Sequence, residues 1–469
     1  MDFDPVLLSR IQFAFVVTFH IIFPAFTIGL AAWLAVIEAM SQATGNPIYR
    51  RVFDFWLKVF AVSFGMGVVS GIVMAFQFGT NWSILAERTG AIQGPLLGYE
   101  AFTAFLLEAT FFGIVMFGRS RVPAWFYLVS CCMVALGTTA SSFWIMANNS
   151  WMQVPVGHAV VDGKMVPDDW RAIIGGPVFV VRWLHMILAA YLTTAICVAA
   201  TGAWYHLRRV HLVEGRIMLH WGLALTALVI PVQVIFGHLN GEYVEKHQPS
   251  KFTAIEGRWQ TEQPARLVLF AWPDEKNERN RFEVAVPRLG SFVDDGTFTS
   301  EEPGIVTIPK DERPPLLIPF FGFRIMVGLA LLMLAIGWGG VALQAIGRLE
   351  TSRWFLWATF LSFPSGFVAV IAGWFTAEVG RQPWVVYGLL RTADAHTPTA
   401  TASQVLTTLI GYAVVYAIIY AFGFYYLYRL LRDGPSGPEP AITGASAKRP
   451  MAAGGSARTA TGRAARAGE

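Results

Sequence analysis

The sequence predicts an all-α polytopic membrane protein, and three observations support this class. The 469 residues are 55% hydrophobic and 14% charged, whereas soluble globular domains carry roughly 25% charged residues. The apolar residues are gathered into runs of about 20 or more, the length that crosses a bilayer as a helix. Lysine and arginine are unevenly distributed between the segments that join these runs. An ordinary soluble domain is therefore excluded.

Nine apolar runs reach this length, and each is predicted to form one membrane-spanning helix. The first run is far too long for the apolar part of a cleavable signal peptide, which is therefore not expected. The three cysteines, Cys131, Cys132 and Cys197, lack metal or redox spacing and are expected to pack as small apolar residues. In chain order the runs are Ile11–Ile37, Phe55–Phe78, Pro95–Gly118, Trp125–Ala147, Pro177–Tyr205, Leu219–Asn240, Pro319–Ile346, Trp354–Thr376 and Val405–Leu430.

Lysine and arginine in the short connections predict the orientation, because they are enriched on the cytoplasmic side. Ten follow odd-numbered runs and five follow even-numbered runs, which places the N-terminus outside and the C-terminus in the cytoplasm. The ten are Arg50, Arg51, Lys58, Arg119, Arg121, Arg208, Arg209, Arg216, Arg348 and Arg353, and the five are Arg88, Lys164, Arg171, Arg381 and Arg391.

One long hydrophilic segment, 241–318, separates runs six and seven and lies outside in this topology. It contains the β-prone stretches Arg266–Trp272 and Phe282–Val286, so we expect a small folded or half-folded cap. The Gly/Ala/Ser/Pro-rich end, 433–469, is expected to be a disordered cytoplasmic tail. The predicted organisation is therefore spans one to six (1–240), the outer loop (241–318), spans seven to nine (319–432) and the tail.

Six polar or sulfur-containing side chains interrupt the apolar runs. Charges at such positions are costly and usually mark functional sites. Counting at 1.5 Å per residue from the predicted ends places all six in the outer half of the membrane. They are His20, Glu100, Glu108, His185, Met326 and Glu378.

Each of these residues taken singly also has a structural explanation. His20 or His185 alone is compatible with a hydrogen bond between helices, and Met326 alone with ordinary packing. Glu100 and Glu108 form an i, i+4, i+8 row with Ala104 on one helix face. That row suits a proton relay or a structural pairing with lysine or arginine.

Taken together, the six residues have the chemistry of a haem site. Histidine and methionine on facing helices form the axial pair of an electron-transfer haem. A haem with one strong protein ligand keeps a face open for oxygen, and either His20 or Glu378 could supply that ligand. Arg324, two residues before Met326, points to a different helix face and could meet propionates or a quinone anion. Arg381 follows Glu378 within Gly373–Trp384, which reads G-W-F-T-A-E-V-G-R-Q-P-W.

Several sequence blocks resemble subunit I of the cytochrome bd-type quinol oxidases over nearly the whole chain, to about Arg432. They occur in order on nine spans with one long outer loop. The blocks are Ser9–Phe15 (S-R-I-Q-F-A-F), Gln77–Ser83 (Q-F-G-T-N-W-S), Trp151–Gly157 (W-M-Q-V-P-V-G), Phe323–Val327 (F-R-I-M-V) and Gly373–Trp384.

The resemblance implies three haems. His185 and Met326 are expected to be the axial ligands of a low-spin haem b. His20 and Glu378 are expected to hold a high-spin haem b and a third haem, either d or b, with their assignment open. Glu100 and Glu108 match buried carboxylates near that pair, linked to ligation or proton delivery.

The resemblance also implies further site residues. Ser141 and Trp374 match positions beside the haem ligands, and Arg381 is expected to pair with a propionate or a carboxylate. Lys251 and Glu256 match the quinol-site pair of the outer loop. The loop is short, as in the branch that includes the cyanide-insensitive oxidases, some of which carry haem b in place of d.

The implied activity is oxidation of ubiquinol or menaquinol at the outer face and reduction of dioxygen to water. Protons for water are taken from the cytoplasm, so proton motive force arises without pumping. The expected partners are a second large subunit (subunit II), a small single-span subunit and membrane lipid, with no nucleic acid. The expected location is the bacterial cytoplasmic (inner) membrane, as a multi-pass protein.

Three other functions differ from a bd-type oxidase in features that can be checked. A haem-copper oxidase needs clustered histidines, and this chain has only nine, with no His-His pair. A proton-coupled transporter would explain Glu100 and Glu108, but not a His/Met/His/Glu set in one leaflet. A quinol-binding subunit without oxygen chemistry would lack a haem that reacts with carbon monoxide.

Overall fold

The computed structural model describes residues 4–435, so most of the predicted tail lies outside the described residues. Within that range nine helices are long and apolar enough to cross a membrane, which confirms the predicted number. We call them spans one to nine. They are Pro5–Thr44, Pro47–Thr80, Ser83–Phe117, Ala124–Gln153, Trp170–Arg208, Leu212–His247, Leu317–Ala345, Arg353–Val379 and Ala402–Asp433.

Most of these helices extend beyond the apolar runs that predicted them. Span one has 40 residues, about 60 Å of helix, which is roughly twice the hydrocarbon thickness. Asp4 caps its first turn by accepting from the Val6 backbone N–H at 2.9 Å, and Gly45 ends it in the left-handed conformation. The apolar run therefore predicts the part of the helix that lies in the membrane, and the capping residues determine where the helix begins and ends.

Three of the spans are interrupted. Span three consists of Ser83–Tyr99, a π-helical segment at Glu100–Phe105, and Leu106–Phe117. Span five begins with the short helix Trp170–Ile174 before its main part, Phe179–Arg208. Span eight breaks between Arg353–Leu361 and Ser365–Val379, where Pro364 has no N–H for the helical ladder.

Span five lies at the centre of the bundle and packs against spans one, four, six and eight. In its most apolar 18-residue window 78% of the residues are buried, against 17% for spans three and nine. Small residues bring span six close: a Cβ on Gly222 would lie 2.7 Å from the Ala195 carbonyl oxygen. Such close backbone approach is typical of helix packing in membranes.

The segment between spans six and seven is folded, as the sequence predicts, and we call it the outer loop after its predicted side. It contains a loop helix, Pro249–Glu256, and an outer hairpin of antiparallel strands, Leu267–Asp274 and Arg279–Val286. The helix Leu289–Asp295 and the 3-10 turns Ile305–Thr307 and Lys310–Glu312 follow. Span six runs to His247, so the loop begins later than the predicted boundary at residue 241. Two short antiparallel hairpins lie elsewhere, His158–Val161 with Lys164–Pro167 and Trp384–Val386 with Leu390–Arg391.

Candidate functional site

Glu378 is the hub of a buried polar network at the end of span eight. Its Oε2 accepts from Arg381 Nη2 at 2.5 Å. Its Oε1 accepts from Asn149 Nδ2 at 2.9 Å and from Gln153 Nε2 at 3.1 Å, both on span four. The carboxylate is therefore held on both oxygens by span four and by the turn that follows span eight.

The network extends from Glu378 to span five and to the outer loop. Arg182 donates to Asn149 Oδ1 at 2.5 Å. Lys251 Nζ donates to Gln153 Oε1 and to Gln248 Oε1, each at 2.6 Å. The structure thus connects the predicted quinol-loop lysine to Glu378 through a single glutamine.

Positive charge exceeds negative charge in this network, because Arg381, Arg182 and Lys251 surround one carboxylate. Burial lowers the pKa of the Lys251 ammonium, and the neighbouring Arg182 and Arg381 lower it further. The Nε and Nη1 atoms of Arg381 are buried and have no hydrogen-bond partner among the described residues. An anionic group at this position would satisfy them.

Close packing holds the loop helix against the end of span eight. Gly380 lies beside Lys251, and a Cβ at that position would be 2.7 Å from Lys251 Cγ. The glycine of E-V-G-R is therefore needed for the approach of the lysine. Four residues of this network were not predicted from the sequence: Arg182, Asn149, Gln153 and Gln248. Of these, Gln153 alone lies in one of the family-like sequence blocks, Trp151–Gly157.

His185 and Met326 each lie against a glycine on a neighbouring span. A Cβ on Gly237 of span six would be 3.3 Å from His185 Cε1, and one on Gly373 of span eight would be 2.8 Å from Met326 Sδ. The Nδ1 atom of His185 is buried without a partner among the described residues. Its Nε2 has only a long contact, 3.4 Å, with Gln233 Nε2. Trp374 directly follows Gly373 and is half-buried.

His20 packs between spans one and two in a similar way. Its Nδ1 is 3.0 Å from Ser70 Oγ, and Ser70 is anchored to the carbonyl oxygens of Met66 and Gly67. A Cβ on Gly71 would lie 3.1 Å from His20 Cε1. The serine orients the imidazole through Nδ1, so Nε2 is the nitrogen left to act as a ligand.

Glu100 and Glu108 both face span four. Glu100 Oε1 accepts from Ser141 Oγ at 2.9 Å, and a Cβ on Gly137 would lie 2.5 Å from Glu108 Cγ. Ser141 and Gly137 are one helical turn apart, so the two carboxyls face the same side of span four although span three is π-helical from Glu100 to Phe105.

Span four consequently carries contacts to three carboxyl groups at successive depths. Glu378 lies at Asn149, Glu100 at Ser141 and Glu108 at Gly137. At 1.5 Å per residue these steps are about 12 Å and about 6 Å. Span three begins at Ser83 rather than at Pro95, which puts both glutamates further from its start than the sequence predicts.

Glu256 ends the loop helix with one carboxylate oxygen, Oε2, buried and unpaired among the described residues. Burial raises the pKa of Glu256 to about 7, with Asp294 adding to the shift and Arg258 and Arg324 opposing it. Arg258 is itself paired with Asp294 at 2.7 Å. The Glu256 carboxyl is thus poised to exchange a proton near neutral pH.

Arg324 makes different contacts from those expected. Its guanidinium donates to the carbonyl oxygens of Ile255 at 2.7 Å, Val268 at 2.5 Å and Phe320 at 3.0 Å, and to that of Glu256 at 3.3 Å. These contacts use Nε and both terminal nitrogens. The backbone of the outer loop therefore occupies the arginine that was expected to meet a propionate or quinone anion.

The side chains fit haem better than a metal ion held by protein ligands alone. No cluster of three or more His, Cys, Asp or Glu that could hold a metal occurs among residues 4–435. Haem brings its own four nitrogens and needs one or two protein ligands. His185 Nδ1 without a partner, the glycine-lined histidines and the unpaired Arg381 nitrogens meet that need.

The nine apolar helices within residues 4–435 are long enough to cross a membrane and enclose a buried polar network. Fold and site together define the class of multi-pass membrane proteins. A family model described as cytochrome bd terminal oxidase subunit I matches residues 8–435. The chain belongs to this family, whose members are haem-containing quinol oxidases, typically of several subunits, that use quinol and oxygen.

Individual relatives agree with this assignment. The chain is 34% identical to cytochrome bd ubiquinol oxidase subunit 1 of Bacillus subtilis, covering 91% of this chain and 94% of the relative. It is 31% identical to cytochrome bd-II ubiquinol oxidase subunit 1 of Escherichia coli, covering 92% and 97%. The solved bd oxidase of Geobacillus thermodenitrificans superposes with a TM-score of 0.85 at 27% identity, covering 92% of this chain and 99% of that one.

Proposed function

We propose that this chain is the haem-bearing subunit that oxidises quinol at the outer loop and reduces dioxygen to water, taking the protons for water from the cytoplasm. The observation that carries the proposal is the hydrogen-bonded path from Lys251 through Gln153 to Glu378. It joins the loop that resembles a quinol site to the carboxylate that resembles a haem ligand. One hydrogen-bonded network would then connect the site of the electron donor, quinol, with the site of the electron acceptor, oxygen.

The quinol site is proposed at the loop helix. A hydroquinone loses two protons on oxidation, so it requires nearby groups that accept them. Glu256, with a free carboxylate oxygen and a pKa of about 7, supplies a base. Lys251, held by Gln153 and Gln248, supplies a hydrogen-bond donor to a quinol or quinone oxygen.

Four residues are proposed to hold the haems: His185 with Met326, His20, and Glu378. The groups they hold are proposed to be a low-spin haem b, a high-spin haem b and a third haem, d or b. When bound, haem transfers single electrons and offers oxygen an open coordination position. The chain orients His20 through Ser70 and holds Glu378 through Arg381 and Asn149, and the free Arg381 nitrogens suit a propionate.

Glu100 and Glu108 are proposed to carry protons toward the oxygen site. Both contact span four nearer to its start than Glu378 does, and Ser141 donates a hydrogen bond to Glu100. Protons drawn from the cytoplasm and released outside from quinol would separate charge without a pump. We further propose subunit II, a small single-span subunit and the bacterial inner membrane as the setting, with ubiquinol or menaquinol as donor.

The experiment that tests the haem assignment is the absorption spectrum of the purified oxidase. We expect reduced-minus-oxidised bands of low-spin and high-spin haem, a response to carbon monoxide, and pyridine haemochromes that separate haem d from haem b. His185→Ala should remove the low-spin band and keep much of the high-spin signal. His220→Ala, a histidine paired with Glu350, is the control. A spectrum without haem bands refutes the proposal, and an intact low-spin band in His185→Ala refutes that ligand.

A further inference from the structure

The outer hairpin has two faces of different character. Val268 and Ala271 on its inner face pack against Phe320 of span seven. The opposite face carries large apolar side chains that remain exposed. They are Leu269, Phe270, Trp272, Phe282 and Val284, with exposed fractions of 51%, 48%, 51%, 82% and 57%.

The position of the hairpin along span seven gives its depth. Arg324 binds the Val268 carbonyl oxygen through Nε and Nη2, so the strand lies beside the second turn of the span. Arg324 is 21 residues before the end of the helix at Ala345, about 32 Å of rise. The hydrocarbon core of a bilayer is about 30 Å thick. The hairpin therefore lies at its outer boundary.

The exposed face of the hairpin continues an exposed apolar surface of span seven. Phe321 packs against Phe270 and Trp272, with ring centroids 5.9 Å and 5.8 Å apart. Ile318 and Ile325, on the same end of the span, are exposed. Aromatic residues at this level are typical of the interface between acyl chains and headgroups.

We infer that the outer hairpin is a lipid anchor, with its exposed aromatic face inserted into the acyl-chain boundary of the adjacent leaflet. The apolar patch is then covered by the bilayer that already covers span seven. Asn280 on the inner face donates to the Gly257 carbonyl oxygen and accepts from Trp259 Nε1, both at 2.9 Å. The anchor thus fixes the end of the loop helix, next to Glu256, at the membrane surface.

Spin-label accessibility tests the anchor in the complete oxidase reconstituted in phospholipid vesicles. A nitroxide is attached at Phe282→Cys in a Cys132→Ser background, since Cys131 and Cys197 are buried. The control label is at Thr299→Cys, an exposed loop position off the hairpin. At each label we measure the ratio of collisions with dissolved oxygen to collisions with a water-soluble nickel complex. We expect this ratio to be several-fold higher at position 282 than at position 299.

Two results would overturn the inference. A label at 282 that the nickel complex reaches as readily as at 299 faces water. A label that neither reagent reaches is covered by protein, either a partner subunit or a second copy. A second label at Phe270→Cys guards against a local effect of one substitution, because both positions must report lipid for the anchor to stand. The test does not depend on quinol turnover.

Discussion

At the scale of single residues, Glu378 has the clearest electrostatic role. Among residues 4–435 it is the carboxylate that hydrogen-bonds to Arg381, and Arg182 and Lys251 lie one residue further along the network. Removing one member of a buried pair leaves the remaining charge uncompensated. The network therefore depends on this side chain for its stability as well as for any ligand role.

Glu378→Gln is expected to destabilise the folded protein by about 3–5 kcal/mol, the usual cost of breaking a buried pair. Thermal unfolding of the purified oxidase measures it. Glu87→Gln is the matched control, because Glu87 pairs with Lys164 and the two side chains are 57% and 53% exposed, and such pairs contribute about 0–1 kcal/mol. Equal losses in the two variants would contradict the buried-charge account.

Glu256 predicts a pH dependence for quinol oxidation. Its pKa of about 7 means that the carboxyl is protonated below that pH and ionised above it. A base acts in its ionised form, so kcat/KM for quinol should rise with pH through about 7 and then level off. Initial rates at saturating oxygen measure it.

The control for this prediction is Glu256→Gln, which removes the titrating carboxyl while keeping the side-chain shape. Its quinol activity should fall strongly, and what remains should lose the acidic limb of the profile. Artificial donors that reduce the haems directly should still support turnover. An unchanged acidic limb in Glu256→Gln would show that another group titrates.

At the scale of elements, the nine spans and the two strands of the outer loop followed from the sequence. Long apolar runs indicate membrane-spanning helices, and stretches rich in β-branched and aromatic residues indicate strands. The π-helical segment at Glu100–Phe105 was not predicted, because nothing in the local sequence marks it. The break before Ser365 was not predicted either, although Pro364 marks it. The Glu378 network was only partly predicted. Asn149, Gln153 and Arg182 are polar residues near span ends, and their role appears only when three spans meet.

Gly373 provides a test of how span eight positions Met326. In Gly373→Ala the new Cβ would lie 2.8 Å from the thioether sulfur, so the methionine must move. A weakened methionine ligand should lower the midpoint potential of the low-spin haem by tens of millivolts or more. Redox titration of the low-spin band measures it.

Gly328→Ala is the control on span seven, since a Cβ there meets nothing within 4 Å. Its potential should stay at the wild-type value. If Gly373→Ala also leaves the potential unchanged, Met326 is not an axial ligand and its contact with span eight is packing alone.

At the scale of the whole molecule, span five is enclosed by its neighbours, whereas most of the apolar residues of spans three and nine are not buried within this chain. Lipid or partner subunits must cover those faces in the membrane. Family membership and the nine spans place the chain in a membrane. The direction of insertion rests on lysine and arginine alone, so it is tested separately.

Cysteine labelling of intact cells checks the predicted orientation. A membrane-impermeant maleimide should react with Lys276→Cys, an exposed position at the turn of the outer hairpin. It should reach Arg348→Cys, between spans seven and eight, only after the cells are lysed. The reverse pattern would invert the topology and place quinol oxidation on the cytoplasmic side.

Arg324 has a mechanical consequence. One guanidinium joins the end of the loop helix, the first strand of the outer hairpin and span seven, and Met326 lies two residues beyond it. The loop cannot swing away from the bundle unless it gives up several charge-assisted hydrogen bonds at once. A ligand that displaced the loop helix would therefore strain the turn of span seven that carries Met326. Ligand binding at the outer loop and the position of the Met326 sulfur would thus be coupled through the Arg324 side chain.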